Sequence, residues 1–145
     1  MIRRLCLGLV FLLAFTSVAH AEMVSISRHK VSMRSGPGTK YQIKWELGLG
    51  YPLKVISSKG NWLKVTDYES DTGWVDKKLV GKTPYMIVKN EKTIICDGPG
   101  EKQRIVGEAN LGVVLRTIQH KKGWVRVKHE SGLTGWVRQD LLWGW

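Results

Sequence analysis

Asn61-Trp62-Leu63-Lys64-Val65 leading to Thr72-Gly73-Trp74-Val75, and Gly123-Trp124-Val125-Arg126-Val127 leading to Thr134-Gly135-Trp136-Val137, are the stretches on which the fold turns. Each reads as a Trp-bearing strand, a polar turn and a second strand, closed by Leu79 or Leu141. The position differences 124 − 62, 136 − 74 and 141 − 79 all equal 62, so the second half repeats the first without a gap. A fixed internal period is the signature of a tandem array. Neither copy carries a catalytic cluster, which points to binding rather than turnover.

The 145 residues divide into a leader at 1–21 and two modules at 22–81 and 86–145. The leader has Arg3-Arg4, an apolar run from Leu5 to Phe15 and the small-x-small site Ala19-His20-Ala21, the pattern of a secretory signal peptide. It is too short to remain as a membrane span, so no transmembrane segment is expected after cleavage and the chain is expected in the periplasm or outside the cell. Removing Arg3 and Arg4 leaves 21 basic against 12 acidic residues, a net charge of +9. Nucleic acid is the usual partner of so basic a chain, but export separates the two. The reachable anions are cell-wall carboxylates, phosphate-bearing envelope polymers and lipid head groups.

After the leader, turn signals separate short β-rich runs: Ser35-Gly36-Pro37-Gly38, Gly48-Leu49-Gly50 and a second Gly98-Pro99-Gly100. No stretch beyond Phe15 sustains helical spacing, so the expected class is all-β, a small barrel or sandwich in each module. One-turn 3₁₀ elements are expected near 76–79 and 138–141. Gly81 to Tyr85 is too short for a flexible tether, so the modules should abut.

Alternate side chains in a strand point to opposite faces. Leu63 and Val65, like Val125 and Val127, claim the interior; Trp62 and Lys64, like Trp124, Arg126 and Lys128, then share the outer face. Val75 and Val137 place Trp74 and Trp136 outside as well. Trp62 and Trp124 become flat platforms for a sugar ring or an extended peptide, with Lys64, Arg126 and Lys128 pairing to carboxylates. Tyr41 and Trp45 would form the opposite wall. Their counterparts in the second copy are Gln103 and Gly107, so an aromatic groove is poorer there. The competing reading is that these tryptophans cover a thin barrel or the seam between modules.

Cys96 is the one cysteine left after cleavage, so an internal disulfide is excluded; it reads as a small apolar residue on a strand, with an intermolecular bridge as the alternative. It lies in a strand-like run, not at a helix N-terminus that would favour a thiolate. His29, His120 and His129 show no metal-ligand spacing, and no phosphate-cradling loop is present. No enzyme activity, metal or cofactor is expected.

Val31-Ser32-Met33-Arg34-Ser35-Gly36-Pro37-Gly38-Thr39-Lys40-Tyr41, with the Trp-Leu-Lys-Val and Thr-Gly-Trp-Val runs, resembles the bacterial Src-homology-3-like domain, and the second copy resembles it too, departing where Cys96-Asp97 replaces Arg34-Ser35. The resemblance covers nearly all of the chain after the leader and implies two tandem small β-barrels. It also implies non-catalytic binding of peptidoglycan or another anionic wall polymer, with a ligand groove at Tyr41, Trp45 and Trp62. The alternative is an adaptor that binds an extended segment of an envelope protein.

Overall fold

A computed structural model of the chain describes residues 21–145. All but the last residue of the expected signal peptide lies outside that range. The first half forms β1 (Met23–Ile26), β2 (Val31–Arg34), β3 (Ile43–Leu47), β4 (Pro52–Lys59), β5 (Trp62–Thr66), β6 (Thr72–Asp76) and β7 (Val80–Gly81), with a 3₁₀ turn at Lys77–Leu79. The second forms β8 (Tyr85–Val88), β9 (Lys92–Cys96), β10 (Ile105–Asn110), β11 (Val114–Lys121), β12 (Trp124–Lys128), β13 (Thr134–Arg138) and β14 (Leu142–Gly144), with a 3₁₀ turn at Gln139–Leu141. The all-β expectation holds, and both 3₁₀ turns fall within the expected stretches.

Each half is one seven-stranded antiparallel sheet, in the orders β3-β2-β6-β5-β4-β1-β7 and β10-β9-β13-β12-β11-β8-β14. The two orders correspond strand for strand, as the 62-residue period requires. Val24, Ile26, Val31, Met33, Leu47, Leu53, Val65 and Val75 form one core, drawn from six strands of the first sheet, which must therefore curl around them. Met86, Val88, Ile95, Leu115, Val125, Val127, Val137 and Leu142 do the same in the second. The inward assignment of Val65, Val125 and Val127 is thus met, while Leu63 packs at the margin of its core.

The halves touch. β4 lies beside β8 and β14, and a Cβ built on Gly50 would come within 2.6 Å of the Tyr85 ring. Gly50 also has φ +81°, a conformation an L side chain adopts only with strain, so the turn before β4 needs glycine twice over. Ile87 is fully buried yet stands outside the second core, on the face opposite Met86 and Val88, in a strand that β14 pairs and β4 approaches. The Ser25 hydroxyl donates to the Thr83 carbonyl at 2.7 Å and pins the connecting segment to β1.

One core position differs instructively between the copies. Val31 of the first core becomes Thr93, which is 3% exposed and whose hydroxyl has no hydrogen-bond partner among the described residues. A buried hydroxyl without a partner costs about 1–3 kcal/mol against an apolar group of the same shape. Thr93→Val is therefore expected to stabilise the protein by about 1–2 kcal/mol. Urea denaturation checks this, and an unchanged or lower midpoint would contradict it.

Candidate functional site

Trp45 and Trp62, expected to line one groove, leave the first sheet by opposite faces. Trp45 shares its strand face with Leu47, which is buried in the first core opposite Val31. Trp45 therefore stands on the interior side of the sheet, but on the edge strand β3, where the barrel opens to solvent and leaves the indole 51% exposed. Trp62 and Lys64 leave the sheet on its other face, opposed to Asp76 and Trp74 respectively. Both are half-buried, neither enclosed nor free. Tyr41 is 46% exposed and packs on the Gly-Pro-Gly turn, where a Cβ on Gly36 would sit 2.3 Å from its ring. Arg34 fastens this loop by donating to the carbonyls of Thr39 and Tyr41 at 2.9 and 3.0 Å.

What Trp45 does line is an acidic cleft. Its other walls are Glu46, Leu47, Tyr51, Asp67, Glu69 and Asp71. Asp67 organises the loop between β5 and β6: one carboxylate oxygen accepts from the amides of Glu69 and Asp71 at 3.0 and 2.9 Å, the other from the Tyr51 hydroxyl at 2.9 Å. Burial, with the Asp67 hydrogen bond and charge beside it, pushes the Tyr51 phenol well above its ordinary value of 10. Glu46 is partly engaged by Lys30 at 3.2 Å. An aromatic wall beside several carboxylates suits a cationic, ammonium-bearing group. The expected polarity, cations pairing with a ligand's carboxylates, is reversed at this cleft.

The second barrel has no equivalent. Gly107 stands where the first has Trp45, and a Cβ there would lie 2.5 Å from the Leu133 side chain. Leu133 in turn replaces Asp71, and His129 replaces Asp67, so an aliphatic group fills the space and the acids are gone. His129 still organises the loop, its Nδ1 accepting from the Ser131 amide at 3.1 Å. The signal for this cleft was present in the 62-residue alignment: Asp67, Glu69 and Asp71 are all acidic in one copy only.

Trp124, Arg126 and Lys128 do share the outer face of β12, but they serve different places. Trp124 is half-buried, lies opposite Arg138, and lines shallow clefts with Glu101 and Arg138. Arg126 is opposed to Trp136. Lys128 lines the seam between the barrels. Trp136 leaves by the outer face, yet it is only 9% exposed, in line with the competing reading that the tryptophans cover the barrel. Strand parity fixes which face a side chain leaves from, not what covers that face, and its neighbour Cys96 is fully buried as well.

That burial bears on Cys96 as a reactive group. Loss of solvent, then the nearby Asp97 charge, raises its thiol above the ordinary value, disfavouring the thiolate that nucleophilic attack or disulfide exchange needs. The second copy lacks the Arg34 anchor, having Cys96 there, and carries across the same loop an exposed ion pair between Asp97 and Arg104 at 3.3 Å. Among the described residues there is no cluster of three metal-ligating side chains and no helix long and apolar enough to cross a membrane.

A family model for the bacterial SH3 domain matches residues 27–82 and again residues 89–144. The chain belongs to the bacterial SH3 domain family. Its two bacterial SH3 domains are 25% identical, over 88% of this chain, to part of a putative N-acetylmuramoyl-L-alanine amidase, YrvJ of Bacillus subtilis. The chain spans only 27% of that relative's length. Among solved structures, an NlpC/P60 family protein from Bacillus cereus is 16% identical with a TM-score of 0.41, covering 86% of this chain and 56% of that one. NlpC2 from Trichomonas vaginalis is 11% identical with a TM-score of 0.38, covering 88% and 49%.

Proposed function

We propose that the chain is a non-catalytic binding protein of the bacterial envelope that recognises peptidoglycan, its first bacterial SH3 domain engaging an amine-bearing part of the wall peptide. The observation that carries this reading is the Trp45 cleft, where a half-exposed indole faces Asp67, Glu69 and Asp71. An extended peptide presents flat amide faces to stack on the ring and ammonium groups to pair with the carboxylates. The similarity to part of an amidase named for the muramoyl–alanine bond supports the choice of polymer. So does the signal-like leader, which would place the chain in the periplasm or outside the cell.

Co-sedimentation with isolated sacculi tests the reading. The chain is expected to pellet at low salt, with Trp45→Ala weakening binding about tenfold, a loss of about 1.4 kcal/mol. Trp62→Ala and Lys64→Ala alter the opposite face and are expected to bind nearly as well as the parent. If they abolish pelleting and Trp45→Ala does not, the site is the outer face. Failure to pellet at all, with one stoichiometric protein captured by crosslinking in cells, would establish the envelope adaptor instead.

A further inference from the structure

The seam between the barrels holds a second cleft of about 450 Å³, distinct from the Trp45 cleft. Leu49 of the first barrel forms one side; Tyr85, Val113, Val114, Arg116 and Lys128 of the second form most of the rest. Arg116 and Lys128 are directly opposed across β11 and β12, on one face, with Tyr85 opposite Arg116 on its other side. Directly opposed side chains have Cβ atoms about 4.5–5.5 Å apart, and like charges so placed repel. Neither cation has an ion-pair partner among the described residues. Glu130, at the rim, is the one carboxylate lining the cleft.

The first barrel shows how specific this arrangement is. At the positions corresponding to Arg116 and Lys128 it has Lys54 and Thr66, also opposed but with a single charge. Only the second barrel sets two cations side by side, and it does so at the one end of its sheet that the first barrel reaches with Leu49. The volume lies within the range of small-molecule pockets, about 300–1,000 Å³, larger than a bare ion needs. Apolar walls at Leu49, Val113 and Val114 leave room for small alkyl groups, while the planar guanidinium matches a carboxylate's two oxygens.

From this geometry we infer that the seam cleft binds the free carboxylate terminus of a short peptide with small side chains, Arg116 taking the carboxylate in a fork and Lys128 adding the second charge. The inference rests on the wall-peptide reading for the source of that terminus, and it assigns the two barrels opposite halves of one ligand chemistry: ammonium in the first, carboxylate at the seam. The cationic partners expected from the sequence then act through Lys128, with Arg116 in place of Arg126.

The test uses an N-acetylated tripeptide ending in alanine, which has no amine for the Trp45 cleft, and the same peptide as its C-terminal amide. Titrated into the full chain and followed by backbone NMR, the acid is expected to shift the amides of Val113, Lys128 and Glu130 while the amide form does not. Arg116→Gln with Lys128→Gln should weaken the acid at least about tenfold, Glu130→Gln should tighten it, and Trp45→Ala should leave it unchanged. These substitutions are on exposed side chains, so spectra of the free variants will report an intact fold. Equal binding of acid and amide, shifts confined to the Trp45 cleft, or displacement by inorganic phosphate at the peptide's own concentration would each overturn the inference. A loss of sacculus binding in Trp45→Ala with the tripeptide result intact would separate the two sites.

Discussion

Gly135→Ala is expected to cost the second domain about 3 kcal/mol or more, enough to unfold a small barrel under mild denaturant. Gly135 is buried in the Thr-Gly-Trp-Val motif where β13 meets β9, a junction made by the pair Trp136 and Cys96 alone. A Cβ there would stand 2.7 Å from the Cys96 carbonyl oxygen and 2.5 Å from Ile95 Cγ2, with Val106 at 3.2 Å. The carbonyl belongs to the ladder and cannot retreat without breaking strand pairing. Gly73, the same position in the first copy, is the control. Its added Cβ would meet the Met33 side chain at 2.5 Å and the Arg34 carbonyl at 3.0 Å. Methionine is flexible and yields more easily, so Gly73→Ala should cost less, about 1–2 kcal/mol. Urea unfolding followed by Trp fluorescence gives both values, and two costs below about 0.5 kcal/mol would show that the strands do not meet this closely.

The alignment of two copies made the Thr-Gly-Trp-Val repeat legible, but the reason for its glycine, the close approach of the neighbouring strand, appears only in the fold. Parity was equally readable: two valines on alternate positions of β12 identify the interior from the sequence alone. Curvature was not. Trp45 and Trp62 both lie at alternating positions of short strands, and nothing in the local pattern says that one sits on an edge whose inner side opens to water. The acidic loop was present in the letters, but pairing Asp67 with Tyr51 requires knowing that the turn before β4 folds back against the end of β5. Arg116 and Leu49 are 67 positions apart, and only the docking of one barrel against the other makes them neighbours. Residues were legible where a rule acts within one strand, and illegible where a cleft is made by elements remote in sequence.

Asp67→Ala is the second substitution with a large expected effect, about 3 kcal/mol on the first domain. Asp67 is 7% exposed and holds three donors: the Tyr51 hydroxyl and the amides of Glu69 and Asp71. Alanine leaves a partly buried phenol and two loop amides without their acceptor, whereas Asp67→Asn keeps an oxygen for the amides and offers its NH₂ to the phenol oxygen, so it should cost about 1 kcal/mol. Tyrosine ionisation provides a separate readout. In the folded parent Tyr51 stays protonated through the range around 10 in which an ordinary phenol ionises. Because the folded value exceeds the unfolded one, this contribution to stability is fully present below pH 10 and is lost as pH rises through the folded value. Removing the carboxylate takes away the hydrogen bond and the charge but not the burial, so the Tyr51 absorbance change should move down toward, without reaching, the ordinary phenol. If Asp67→Ala leaves both the unfolding midpoint and the alkaline absorbance curve in place, the carboxylate does not organise the loop, and the acidic cleft beside Trp45 has no fixed shape with which to select a ligand.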